Sequence, residues 1–353
     1  MRGTSPARAG AVLGLLAATL FGISAPLSKL LLPASGPLEL AGLLYLGGGL
    51  GLVLFGLARR CLPGPRRVEA PIRRGDVPLL AGVILTGGIL GPVLMLTGLQ
   101  RMSAVTGSLL LNLEAPFTML LAIVVFREHL GRRELGAAVC IVGGAVLLGI
   151  RPGEIQGDWI GIAAIAGACL SWAIDNNLTQ RLSLRDPIAV VRIKALGAGT
   201  CNLLLAALFG RAVPAEIIGG ALALGAASYG ASILLDMYAL RLVGAAREAA
   251  YFATAPFIGA VAAMPLTGAI LAPSEMIAGG LMALGVVALL REHHSHLHVH
   301  EPIEHEHMHE HDDHHQHQHD ERVAGPHSHV HRHEPLVHDH PHVSDLHHRH
   351  RHD

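Results

Sequence analysis

Apolar runs close to twenty residues long recur from Ala11 to Leu290, and they restrict this chain more than any other feature. About 20 apolar residues make a helix long enough to cross the hydrocarbon of a bilayer. Inside lipid no water satisfies the backbone, so such runs fold as helices. A soluble helical core needs a polar face on its helices, and segments such as Gly136–Ile150 have none. The pattern predicts ten helices, at about residues 11–31, 38–58, 78–99, 103–126, 135–150, 159–180, 188–209, 215–239, 248–271 and 275–290. The expected fold class is an all-α integral membrane protein. The opening MRGTSPARAG followed by an apolar run has the look of a signal peptide. The run continues to Leu32, and Pro26 would follow the small residues at a cleavage site, so a first membrane helix is the preferred reading.

A repeat runs through these helices. Ala115–Pro116–Phe117 recurs as Ala255–Pro256–Phe257, Glu134–Leu135 as Glu275–Met276, and Gly144 as Gly285. Leu20–Phe21–Gly22–Ile23 aligns with Ser171–Trp172–Ala173–Ile174, and Leu27–Ser28–Lys29 with Leu178–Thr179–Gln180. Five helices per copy is an odd number, so the second copy must enter the membrane from the opposite side. The expectation is two inverted five-helix repeats, residues 1–150 and 151–290, with a substrate site near the midplane.

Arginine placement orients the chain. One set of alternate loops, with the N-terminus, carries Arg2, Arg8, Arg59, Arg60, Arg66, Arg67, Arg73, Arg74, Arg127, Arg132, Arg133, Arg181, Arg185, Arg241 and Arg247. The opposite loops carry only Arg101, Arg151 and Arg211. By the positive-inside rule both termini face the cytoplasm of an inner, cytoplasmic membrane.

The stretch Phe126–Arg127–Glu128–His129–Leu130–Gly131–Arg132–Arg133–Glu134–Leu135–Gly136–Ala137–Ala138, followed by Ile141–Val142–Gly143–Gly144, resembles the signature of EamA-type transporters in the drug/metabolite transporter superfamily. Phe21–Gly22 through Lys29 is similar to the first helix of that family. The resemblance covers about residues 11–290. It implies ten helices in two repeats and a secondary transporter of metabolites. It leaves the substrate open among amino acids, sugars, nucleotides, dyes and other compounds. The second copy departs at Gly268, which stands where the glutamate of the repeat would fall.

Charge at membrane depth is costly and points to function. Glu114 lies near the middle of the fourth helix, with Asn112 just before it. Asp175, Asn176 and Asn177 follow one another in the sixth, Lys194 lies in the seventh and Asp236 near the inner end of the eighth. Asp175, Lys194 and Asp236 could meet around a cavity open to the cytoplasm. Substrate or proton binding is one reading of these seven residues. The competing one is structural, with Lys194 locking helices through Asp175 or Asp236, and Asn176 and Asn177 acting as interhelical hydrogen-bond glue. Glu114 is hardest to explain structurally, because the basic residues of the cytoplasmic face lie half a membrane away. Glu128 and Glu134 read as solvated charges beside Arg127, Arg132 and Arg133. Glu248 reads as an acid stabilised at a helix start.

Glycine pairs such as Gly87–Gly88, Gly143–Gly144 and Gly279–Gly280 lie within apolar spans, where small residues let helices approach closely. Pro92, Pro116, Pro256 and Pro265 are expected to kink theirs. The cysteines Cys61, Cys140, Cys169 and Cys201 are scattered and suggest neither a disulfide framework nor a thiolate metal site.

Residues 291–353 are a different polymer. Of 25 histidines, all but His129 lie between His293 and His352. Histidines alternate with other residues at His298, His300, His305, His307, His309 and His311, and again at His327, His329, His331 and His333. Neutral imidazole ligates Ni, Zn and Co, so the segment reads as a disordered cytoplasmic tail that chelates divalent metal at many sites. No cofactor is required, and Ni, Zn or Co at the tail are the metals to expect.

The leading expectation is a non-enzymatic, ion- or gradient-driven exporter of small organic metabolites working by alternating access. Its partners are a small-molecule substrate, the lipid bilayer, divalent metal ions at the tail and a second copy in a homodimer; nucleic acid is not among them. The alternatives are a divalent-metal transporter fed by the tail, or a membrane metal sensor. No histidine lies in the spans to support the first. An intramembrane enzyme is least favoured, since the spans hold neither HExxH nor Gly-x-Ser-x-Gly.

Overall fold

A computed structural model describes residues 6–61, 69–126, 132–149, 159–182, 185–210, 212–243, 245–290, 294–299, 304–309, 327–332 and 337–342. Up to Leu290 the regular structure is helical. The helices are α1 (Pro6–Leu31), α2 (Pro37–Cys61), α3 (Arg74–Arg101), α4 (residues 104–126), α5 (Arg132–Gly149), α6 (Trp159–Leu182), α7 (Pro187–Phe209), α8 (Ala215–Val243), α9 (Ala245–Phe252), α10 (Ala255–Thr267) and α11 (Pro273–Leu290). Among the described residues seven helices are long and apolar enough to cross a membrane: α1, α2, α3, the first part of α4, α6, α7 and α8. Shorter apolar helices lie within α5, α10 and α11.

Local chemistry sets several boundaries. Pro37 and Pro187 open α2 and α7, where a missing N–H costs nothing. Asp186 caps α7, its Oδ1 accepting from the Ile188 and Ala189 amides at 2.9 and 3.3 Å. Ser103 caps α4 by accepting from the Thr106 amide at 3.0 Å. Gly268, at φ 68°, ends α10 in the left-handed conformation that glycine adopts freely, so that helix stops short of residue 271. The expected ninth span, 248–271, is interrupted at residues 253–254, immediately before Ala255–Pro256; Pro256 has no N–H to continue the preceding helix and fits in the first turn of a new one.

Two helices contain π-helical stretches, Ile84–Leu90 in α3 and Ala226–Ala231 in α8. A 3-10 turn, Leu111–Leu113, breaks α4 just before Glu114. The first π stretch and the 3-10 turn lie near Pro92 and Pro116, where kinks were expected, whereas the π stretch of α8 has no proline beside it.

The packing follows an exchange pattern. The largest helix–helix contacts are α2 with α7 and α5 with α11, each joining corresponding helices of the two sequence repeats. The α1–α8 contact has its counterpart in α6–α3, and α2 with the π stretch of α8 in α7 with that of α3. The α5–α11 crossing has the same pairing at atomic scale. A Cβ on Gly144 would meet the Ala278 carbonyl oxygen at 2.9 Å, and one on Gly285 would meet that of Ala137 at 2.7 Å. The repeat-matched glycines thus seat the two backbones against each other.

Aromatic side chains fill the centre. Tyr45 and Tyr229 lie 4.9 Å apart between ring centroids, and Phe21 packs on Trp172, Tyr229 and Phe252 at 5.7, 5.8 and 5.3 Å. On the arginine-rich face the segment 69–76 is strapped to the other repeat. Arg185 pairs with Asp76 at 2.8 Å and Arg241 with Glu69 at 2.9 Å.

Beyond α11 the described residues form four strands: β1 (His294–Val299), β2 (Glu304–His309), β3 (His327–Arg332) and β4 (Val337–His342). β1 pairs with β4 and β2 with β3, both antiparallel. This differs from the structureless tail expected above. The alternating His-x-His pattern has the two-residue period of a strand.

Candidate functional site

The 3-10 turn that ends at Leu113 sets where Glu114 points as the helix resumes. Its Oε1 accepts a hydrogen bond from Asn176 Nδ2 at 2.6 Å, joining α4 to α6. One residue before Asn176, Asp175 accepts from Lys194 Nζ of α7 at 2.5 Å. This pair is deeply buried, Asp175 being 5% and Lys194 6% exposed. The Asp175 carboxylate lies flat against the π stretch of α3, where a Cβ on Gly87 would fall inside it. The side chains of three other helices complete that wall. Tyr45 Oη and Trp172 Nε1 donate to the Gly87 carbonyl at 2.5 and 3.2 Å, and Asn202 Nδ2 donates to that of Gly88 at 3.1 Å. The wide turn of a π stretch leaves carbonyls within reach of such donors.

Asp236 of α8 and Glu248 of α9 lie close enough to act electrostatically on each other. Asp175, Asp236 and Lys194 all act electrostatically on Glu114. The cluster therefore draws four carboxyls and one ammonium from α4, α6, α7, α8 and α9. Among the described residues no group of three or more His, Cys, Asp or Glu is placed to hold a metal ion.

The structure sorts the residues singled out from the sequence. Glu114, Asp175, Asn176, Lys194 and Asp236 come together. Glu114 belongs to the same cluster as Lys194 rather than standing apart from every basic group. Asn112, 4% exposed, donates instead to the Leu109 carbonyl at 2.9 Å and lies 3.9 Å from Met282 Sδ of α11. Asn177 donates to Ala173 of its own helix at 2.8 Å. Glu248 joins the cluster although its position at a helix start offered an ordinary explanation; Asp236 and Glu114, which act on it, lie on other helices.

The counterpart positions in the other repeat carry no charge. Ser24 matches Asp175, and Thr254 matches Glu114. Each hydroxyl donates within its own turn, Ser24 to Phe21 and Thr254 to Tyr251, both at 2.6 Å. A separate cavity of about 130 Å³ opens on the arginine-rich side, lined by Arg59, Glu69, Asp186, Ile188 and Tyr238.

Of the tail histidines, His298, His305, His307, His309, His327, His329 and His331 lie in the strands; His300, His311 and His333 lie outside the described residues. The register sets His298 opposite His338, His305 opposite His331, His307 opposite His329 and His309 opposite His327. Glu128 and the stretch around His129 also fall outside the described residues.

The model of the EamA-like transporter family matches residues 8–150 and 159–291, one copy on each repeat. A curated protein of Methanothermobacter thermautotrophicus, described as an uncharacterized transporter, is 30% identical over 292 residues, covering 78% of this chain and 85% of its own. A solved structure titled only as the crystal structure of a protein superposes with a TM-score of 0.56 at 21% identity, over 79% of this chain and 94% of its own. That likeness concerns the fold alone.

Proposed function

The chain belongs to the EamA-like transporter family, and from that premise we propose that it exports small organic metabolites by alternating access. Ten spans result when α9 and α10 are counted as one broken crossing, five in each of two inverted repeats. Both termini lie in the cytoplasm of the inner membrane under the arginine bias of the loops. The observation that carries the reading is the convergence of Glu114, Asp175, Lys194, Asp236 and Glu248 from five helices. Ionisable side chains are expensive inside a membrane, so a cluster of five is retained for substrate and ion handling. The exchange pairing of helices is what rocking of one repeat against the other needs.

A second reading is divalent-metal transport, favoured by the tail strands that set histidine opposite histidine. One experiment addresses both. Liposomes containing the purified full chain are loaded with an amino-acid and metabolite mixture plus Ni, Zn and Co, and efflux is followed by mass spectrometry. An organic compound is expected to leave, and Glu114→Gln to abolish that efflux, because glutamine can still accept from Asn176 but carries no charge. Efflux of a metal instead, lost when the chain is ended after Arg291, would put the second reading first. Normal organic efflux from the glutamine variant would remove Glu114 from the mechanism.

A further inference from the structure

We propose that the strands beyond α11 form a metal-assembled β ribbon, in which borderline divalent cations, Zn or Ni, are clamped between opposed histidines of paired strands. The site does not depend on which compound crosses the membrane.

A strand places alternate residues on one face, and directly opposed residues of an antiparallel pair share that face. In β2–β3 the register opposes histidines at every second position: His305 with His331, His307 with His329 and His309 with His327. β1–β4 repeats the arrangement, with His294 opposite His342, His296 opposite His340 and His298 opposite His338. Each strand pair therefore carries three histidine rungs on one face and no histidine on the other. A slip of one residue would split the two histidine rows onto opposite faces. The same register runs through both pairings, since residues 300–303 between β1 and β2 match residues 333–336 in number.

This spacing suits a metal ion. Opposed Cβ atoms of an antiparallel pair lie about 4.5–5.5 Å apart, and imidazole nitrogen binds Zn at about 2.0–2.1 Å. One rung can offer two neutral nitrogens to one ion, and the next rung or water fills its remaining positions. A rung is a pair, which agrees with the lack of a preassembled group of three among the described residues.

The strands also need something beyond apolar burial to hold them. A lone two-stranded pairing is marginal in water. The face of β2–β3 without histidine sets Glu304 opposite Arg332, Glu306 opposite Val330 and Met308 opposite Ser328, so no apolar row runs along it. Pairing β2 with β3 also closes the long segment 310–326, which costs chain entropy. Coordination across the rungs supplies the missing cross-link. Metal binding and strand pairing are then one event, because the ligands meet only in the paired state.

The test uses the purified full chain, with Zn and Ni each offered alone in equilibrium dialysis and the bound metal counted by mass spectrometry. His307→Ala breaks one rung. Adding His329→Ala breaks the same rung again, so that double variant is expected to lose no more metal than the single one. His307→Ala with His340→Ala breaks a rung in each strand pair and is expected to lose about twice as much, as independent sites do. Equal losses from the two double variants would mean that each histidine binds on its own, and would overturn the ladder. A second readout follows the strands. Met308→Cys and Ser328→Cys, opposed on the face without histidine, carry nitroxide labels in a chain whose four native cysteines are alanine. Zn is expected to bring the labels into dipolar contact and EDTA to separate them. Labels that stay apart in Zn would overturn the paired site. Labels that stay together in EDTA would overturn metal as what holds the strands.

Discussion

Lys194 and Asp175 show what one buried charge demands of its neighbours. Removing one partner from a buried ion pair leaves the other uncompensated and costs about 3–5 kcal/mol, whereas replacing both by apolar residues is often close to neutral. Lys194→Met is therefore expected to destabilise the protein by about that much, and Lys194→Met combined with Asp175→Leu to recover most of it. Thermal unfolding in detergent, followed by tryptophan fluorescence, measures both. Equal losses in the single and double variants would mean that the pair is not the source of the effect. At this scale the sequence was informative wherever a charge interrupted an apolar run, which singled out Glu114, Asp175, Lys194 and Asp236. It was silent on partners. Nothing in the spacing of residues 114 and 176 announces their hydrogen bond, and Glu248 was hidden by its place at a helix start.

Helices show the opposite balance. Apolar length located nearly every element within a few residues of its observed bounds, because the membrane leaves the backbone no alternative to helix. The interruptions were less legible. A uniformly apolar run has no polar stripe whose phase would reveal an extra residue per turn, so the π stretches at Ile84–Leu90 and Ala226–Ala231 left no trace in the pattern. Prolines gave only their neighbourhood. Glycines were readable as close-approach sites in general, not as to which of them touch. Gly285 does, since a Cβ there would lie 2.7 Å from the Ala137 carbonyl oxygen, while Gly280 of the same helix has open space around it. Overpacking of this kind costs about 1–3 kcal/mol, so Gly285→Ala is expected to lower the melting temperature and Gly280→Ala to leave it nearly unchanged. Matching melting curves for the two variants would show that the α5–α11 crossing tolerates separation.

For the molecule as a whole, arginine bias and repeat were both visible in the sequence, while the convergence of five helices on one cluster was not, because it depends on packing between helices as far apart in the chain as those of Glu114 and Glu248. The orientation reading has a direct check. Cys61 is exposed at the end of α2, beside Arg59 and Arg60. A chain keeping Cys61 with the other three cysteines changed to alanine should react with a membrane-impermeant maleimide in inverted vesicles and not in intact spheroplasts. Labelling in spheroplasts would reverse the assigned topology. The matched but uncharged positions Ser24 and Thr254 have a consequence at this scale too. A carrier built from two equivalent halves spends equal time facing each side when empty, since swapping the halves changes nothing. Here each half brings a carboxyl where the other brings a hydroxyl, but at different positions, Glu114 against Thr254 and Asp175 against Ser24, so the halves are not equivalent and two facing states would differ in energy. Under the proposed alternating access, the empty protein then has a preferred resting side, and under equal and opposite gradients it runs faster one way than the other: a rectifier whose polarity is set by which half carries each carboxyl.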